Sequence, residues 1–361
     1  MFLNMANAYL YAGAWAGRDV VSKGIRSFAY DVAARRLEFI GTFGDYNGMS
    51  CLRLDGDLLL ACVESPRDDL IVSFRVLPDG TLRELDTVHT TGANIAHLEI
   101  DRAHRRLFTV NFSGCSAAMI AYGEDGSLRL CDCCHFTDQG SYTLGVSTFE
   151  RQDGAKPHAS ALMPDGRHLC VCSMGSDKLY VLAIDEDFEK LTLCTELTAP
   201  IDDGEGARHV VFSADGKFAY TNSEMGNTVY VFAVGEDCSL TRLQKLSLLD
   251  PERETKGWAS VCVLSPDGRY LFVGSRGQNC IVRFRVGDDG LLTQAGYFDC
   301  CGTSPRGLSF GYGGRVLFCC CNGSGTIAVI GFDPESGEPG ECLQKIEGIP
   351  GAANVVFQVC E

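Results

Sequence analysis

The feature that most constrains this chain is a period of about 50 residues that runs along nearly all of it. Each copy is a short apolar segment, a D-G type turn, a second apolar segment, a small or Gly-containing break and a third alternating segment. The clearest copies are HASALMPDGRHLCVCSMGSDKLYVLAID (158–185), HVVFSADGKFAYTNSEMGNTVYVFAV (209–234) and VCVLSPDGRYLFVGSRGQNCIVRFRV (261–286). Weaker copies begin at Cys51, His97 and Gly307. The turn glycines Gly166, Gly216, Gly268 and Gly314 lie 50, 52 and 46 residues apart. A fourth segment follows several copies, as in DGTLREL (79–85) and DGLLTQA (289–295).

Four short strands per unit, without helical periodicity, predict an all-β fold: a β-propeller of four-stranded blades. Six copies are complete. The N-terminal stretch 8–41 supplies strands without the inner one, and NVVFQV (354–359) supplies a lone strand. Sharing one blade between these two ends closes a seven-bladed ring and removes the exposed sheet edges. The expected organisation is a single domain over 1–361.

Charge narrows the function classes. With 31 basic and 47 acidic side chains the formal net charge is −16, a field that repels nucleic acid and anionic membranes. A small anionic ligand is still admissible, because a few arginines dominate locally inside a cleft. No run of 18 apolar residues predicts a membrane span, and the N-terminal stretch lacks the basic region of a leader. The expectation is a cytoplasmic protein, a monomer or weak homo-oligomer.

Nineteen cysteines sit mostly inside apolar runs such as LFCCC (317–321), as small buried hydrophobes in a reducing compartment. CDCCH (131–135) matches the spacing of covalent haem attachment, but that chemistry requires export. No metal-ligand spacing, phosphate loop or G-x-S-x-G motif is apparent, so no metal and no cofactor are expected.

The repeat also acts as a ruler. Residues equally far before and after a D-G turn face each other across the hairpin. Eight before the turn glycine stand His158, Arg208 and Arg306; eight after stand Glu64, Glu224, Arg276 and Asn322. These are the open ends of the inner hairpins, so they are expected to surround one cleft at the ring axis. Arginines around a carboxylate and a histidine suit an anionic substrate, held by bidentate contacts, with a carbonyl polarised by guanidinium. Either Glu224 or His158 could take a proton from water. His97 is expected at the same face, as a substrate contact. His209, beside Arg208, is expected on the opposite face of its strand or at the rim, with substrate binding as the functional alternative. His89, His104 and His168 read as surface or turn residues.

The motifs KPHASALMPDGRHLCV (156–171), GARHVVFSADGKFAYTNSE (206–224) and LSPDGRYLFVGSRG (264–277) resemble the lactonase family of seven-bladed propellers. That family includes propeller-type 6-phosphogluconolactonases and carboxy-muconate lactonizing enzymes. The resemblance spans the chain from AYLYAGAW to NVVFQV. It implies a catalytic set of His158, Arg208, Glu224 and Arg276, a small anionic lactone as substrate, and metal-independent hydrolysis. Three departures bear on substrate identity: Gly307 where a histidine is common, Ser223 within N-S-E, and SMG (173–175) without an acidic residue. The rival readings are a lactonase or cyclase for a non-phosphorylated sugar or dicarboxylate, and a non-catalytic binding propeller.

Overall fold

The apolar segments on either side of each turn fold as antiparallel strands, because alternation buries one face of each against the neighbouring sheet. The computed structural model describes residues 8–17, 20–64, 69–253 and 257–359; the opening residues 1–7 of the stretch inspected for a leader lie outside these. Seven antiparallel sheets result, six with four strands and one with five. The fold is the seven-bladed β-propeller expected from the repeat. Blades 1 to 6 begin with the strands Cys51–Asp55, Ile95–Asp101, Pro157–Leu162, Ala207–Phe212, Ala259–Leu264 and Pro305–Gly311. These first strands contact one another in turn and form the innermost layer around the axis.

Blade 7 closes the ring. Its inner strand is the C-terminal Ala352–Val359, which pairs along Ala8–Ala14 from Ala8↔Val359 to Ala14↔Ala352. The strands Lys23–Asp31 and Arg36–Asn47 complete that sheet. Blade 3 departs from four strands by adding Ala199–Pro200 against Lys178–Ile184.

The core lies between blades, not within them. One cluster packs Tyr220 and Val229 of blade 4 against Leu271, Val273 and Phe284 of blade 5. A hydrogen bond repeats at these seams: a side chain on a third or second strand donates to a turn carbonyl of the next blade. Ser27 Oγ reaches Gly80 O and Ser73 Oγ reaches Gly126 O, both at 2.6 Å. Tyr220 OH reaches Gly290 O at 3.0 Å. The turns also nest, since a Cβ on Gly216 would stand 2.7 Å from Pro164 of the previous blade, and Gly216 has φ +74°.

A second repeated device matters more for function. The register slips at one residue near the start of the inner strand, at Ala96, His158, Arg208, Arg306 and Ala353. In blade 5, Ser260 and Val261 share the place opposite Gly274. A β-bulge of this kind bends the strand and re-aims the bulged side chain. Around the ring, the bulged residues are those nearest the open end of the axial channel.

Candidate active site

The bulges at His158, Arg208 and Arg306 turn these side chains into a cavity of about 430 Å³ on the ring axis. Glu64, His97 and His209 line the same cavity. Glu224 and Arg276 join it through Arg208. Arg208 Nε donates to Glu224 Oε2 at 2.5 Å, and Arg276 Nη2 lies 3.0 Å from the same oxygen. Glu224 is fully buried and Arg208 nearly so. Arg306 Nη2 lies 3.4 Å from Glu64 Oε1, and its guanidinium sits over the Trp15 ring at 5.3 Å.

Asn322 is not among the lining residues. It falls just past the strand Val316–Cys321, where its backbone N–H donates to Ser304 O at 2.9 Å. His209 corrects the expectation of an opposite-facing side chain. Strict alternation would separate it from Arg208, but the extra residue in the bulge lets both reach the axial cavity. There the His209 ring lies 5.4 Å from His97 and 5.5 Å from His158, centroid to centroid.

Two residues escaped the ruler. Arg151 sits in a short 3-10 turn (Glu150–Gln152) within the 136–156 connection, and its Nη1 donates to Glu224 Oε1 at 2.8 Å. It is about half exposed, and lies 5.7 Å from the Phe112 ring and 5.8 Å from that of Trp258. Trp258 itself holds φ +93°, a strained conformation for a bulky residue at the edge of the site. An inter-blade connection of this length, outside the repeat, was the available signal. The second is Arg53, placed toward the turn end of its strand, whose Nη2 lies 3.0 Å from His97 Nε2.

Asp177, with φ +55°, anchors this rim. Its buried carboxylate accepts from Gln152 Nε2 at 3.0 Å, Gly204 N at 2.8 Å and Gly206 N at 2.6 Å, besides Ser141 Oγ. One side chain therefore fixes both the turn carrying Arg151 and the approach to Arg208.

Three guanidiniums around one carboxylate make the site cationic within an acidic protein. Burial alone would raise the Glu224 carboxyl, but Arg276, Arg208 and Arg151 together hold it well below the usual range. Burial lowers Arg208 to about 9 against the pull of Glu224, so it stays charged at neutral pH. His158, His97 and His209 are pushed well below 6.5, first by burial and then by arginines, Arg208 for His158 and His209 and Arg53 for His97. They are neutral imidazoles. Arg208 Nη1, His158 Nδ1 and Ser160 Oγ are buried without a hydrogen-bond partner, and all three residues line the cavity. Buried polar atoms rarely go unpaired unless something else completes them.

Away from the axis, Asp165, His168 and Cys238 bring one potential ligand atom each within 4.8 Å of one another. Spacing could not reveal this, because Cys238 comes from the next blade. Its thiol is pushed up to about 12 by burial and by Asp165. Cys131–His135 of the haem-like pattern lies on the outermost strand of blade 2, with Cys133 Sγ 3.8 Å from His135 Nε2. The eighteen described cysteines are free thiols, eleven of them buried. No helix of the described residues is long and apolar enough to cross a membrane.

A 6-phosphogluconolactonase of Serratia proteamaculans is 29% identical over 271 residues, 74% of this chain and 76% of that protein. One from Formosa agariphila is 25% identical over 332 residues, 90% of this chain and 91% of its own. The structure of a periplasmic gluconolactonase from Pseudomonas aeruginosa superimposes with a TM-score of 0.86 at 29% identity, covering 98% of this chain and 99% of that one. The family described as lactonase, 7-bladed beta-propeller, matches residues 10–357. With the closed seven-bladed ring, this shows that the chain belongs to the lactonase family of seven-bladed β-propellers.

Proposed function

We propose that the chain hydrolyses 6-phospho-D-glucono-1,5-lactone to 6-phosphogluconate without a metal, acting in the cytoplasm within the pentose phosphate pathway. The observation that carries this reading is that Arg208 Nη1 and His158 Nδ1 are both buried without a partner, on residues that line one cationic cavity of a lactonase-family propeller. The guanidinium of Arg208 faces the ring carbonyl and stabilises the oxyanion that forms on it. Both oxygens of Glu224 already accept from guanidiniums, Oε1 from Arg151 and Oε2 from Arg208 and Arg276. Its role in this reading is to keep those cations fixed and charged.

Proton transfer then falls to His158. In the tautomer protonated at Nε2, its Nδ1 offers a free lone pair. Water attacks the carbonyl carbon while Nδ1 takes its proton. Collapse of the tetrahedral intermediate breaks the bond to the ring oxygen, which leaves with the proton returned by His158. The acid and the freed hydroxyl are the products.

A second reading, a non-phosphorylated aldonolactone as substrate, is favoured by the likeness to the Pseudomonas aeruginosa gluconolactonase. The deciding experiment is hydrolysis of freshly made 6-phosphogluconolactone, coupled to 6-phosphogluconate dehydrogenase, against glucono-1,5-lactone and above the spontaneous background. A larger kcat/KM for the phosphorylated lactone supports the first reading. A rate confined to glucono-1,5-lactone moves the assignment to the second.

A further inference from the structure

His97 sits between two donors. Its Nδ1 faces the backbone N–H of Ser160 at 3.3 Å, and its Nε2 faces Arg53 Nη2 at 3.0 Å. A neutral imidazole has one N–H and one lone pair, so it can accept from only one of them. Whichever tautomer forms, one N–H of His97 points at another N–H. If Nδ1 accepts from Ser160, then the Nε2–H of His97 and the Nη2 of Arg53 are left without an acceptor among the described residues, while Arg53 Nη1 donates to Leu52 O at 2.9 Å and so holds the guanidinium in place. An oxygen anion placed against these two donors would accept from both.

The surroundings agree with such a ligand. The Ser160 hydroxyl is buried and unpaired at the wall of this cavity, and His209 packs its ring against that of His97. The carboxylates among the described lining residues, Glu64 and Glu99, each have a guanidinium nearby that offsets their charge, Arg306 and Arg53 respectively. Glu64 is paired with Arg306, and burial pushes the Glu99 carboxyl above its ordinary value despite the nearby Arg53. A cation is disfavoured by Arg53, Arg208 and Arg306, which all line the same space.

Depth completes the argument. Arg208 stands eight residues before its turn glycine and Arg53 three before its own, so the cavity runs along the axis and not across its mouth. Its volume, about 430 Å³, lies in the range that encloses a small ligand. We infer that the deep part of the axial cavity, formed by Arg53, His97, Ser160 and His209, is an anion subsite that seats the phosphate end of the substrate while the lactone carbonyl lies at Arg208. The substrate's identity rests on the lactonase reading above; the subsite itself does not.

The test separates the two. In Arg53→Gln, the ratio of kcat/KM for 6-phosphogluconolactone to that for glucono-1,5-lactone is expected to fall at least about tenfold, the loss of a charge-assisted contact to one substrate only. Equal losses on both lactones overturn the subsite. Thermal stabilisation by inorganic phosphate reads the subsite directly, even for a chain that turns over neither lactone. It is expected in the unsubstituted protein and reduced in Arg53→Gln; its absence in the former, or equal stabilisation of both, overturns the proposal. Should Arg53→Gln fail to fold, His209→Asn supplies the same two readouts with the same expected directions.

Discussion

Arg208 and Glu224 meet at 2.5 Å, Nε to Oε2, within one blade, Arg208 on its inner strand and Glu224 just past the end of the second, and neither side chain is exposed to water. The contact exists because a bulge at Arg208 swings its side chain toward the open end of the hairpin, where Glu224 begins the following turn. A buried pair of this kind gives little net stability, but breaking it leaves an unmatched charge. Here the unmatched charge would be several guanidiniums at once.

Glu224→Gln therefore removes the only carboxylate among the described residues that Arg151, Arg208 and Arg276 share. The expected loss of stability is about 3 kcal/mol, as for a buried ion pair stripped of one partner. Turnover should fall by roughly a hundredfold or more, because the oxyanion donor is no longer fixed. Urea unfolding and the coupled lactonase assay measure the two effects. A variant with undiminished kcat/KM would show that the carboxylate does not organise the site.

Arg151→Ala separates function from stability at the same carboxylate. Arg151 is about half exposed and sits on a connection instead of a blade, so its removal should shift stability by less than about 1 kcal/mol. It still lies against Glu224 Oε1, the carboxylate that also holds Arg208. Loss of one charge-assisted contact predicts a fall in kcat/KM of about tenfold, mostly through KM for an anionic substrate. An unchanged KM with unchanged kcat would place Arg151 outside the substrate path.

How much of this could be read from residues alone follows from the repeat. His158, Arg208, Glu224 and Arg276 were legible because a fixed distance from each turn glycine marks the open end of the hairpin. Glu64 and Arg306 came with them, and they do meet, reaching from blades 1 and 6 on either side of blade 7. His209 was misplaced because alternation has no way to represent a one-residue bulge. Arg151 was missed because the 136–156 connection has no counterpart in other copies. Arg53 was missed because the ruler examined strand ends, whereas the cavity extends down the strands toward the turns.

Acid should weaken the fold through the histidine cluster. His97, His158 and His209 have folded values well below 6.5, so between the folded value and 6.5 the unfolded chain binds more protons. Stability therefore falls as pH drops through 6.5, and each histidine contributes about 1.4 kcal/mol of loss between pH 7.5 and 5.5. Glu99, raised by burial, opposes this in part, because its folded form binds a proton more readily than its unfolded form. The measurement is urea unfolding at both pH values, in the unsubstituted protein and in His209→Asn. The substituted chain should lose about 1.4 kcal/mol less over that interval; an identical pH slope would mean that His209 is not held neutral.

Gly307 stands where a histidine is common in the family motif, and its surroundings explain the smaller residue. A Cβ at this position would stand 2.1 Å from the carbonyl oxygen of Ala353, on the inner strand that closes the ring. That atom belongs to backbone at the bulge of blade 7, so it cannot rotate aside as a side chain would. Gly307→Ala must therefore push blades 6 and 7 apart, at a cost of about 1–3 kcal/mol for an overpacked contact. Because Gly307 and Ala353 both line the axial cavity, the same displacement should reach the Arg306 side of the site. The expected outcome is a lowered melting temperature together with a raised KM. A variant that keeps the parent melting temperature would show that the two inner strands separate without penalty, and that ring closure is looser than this contact requires.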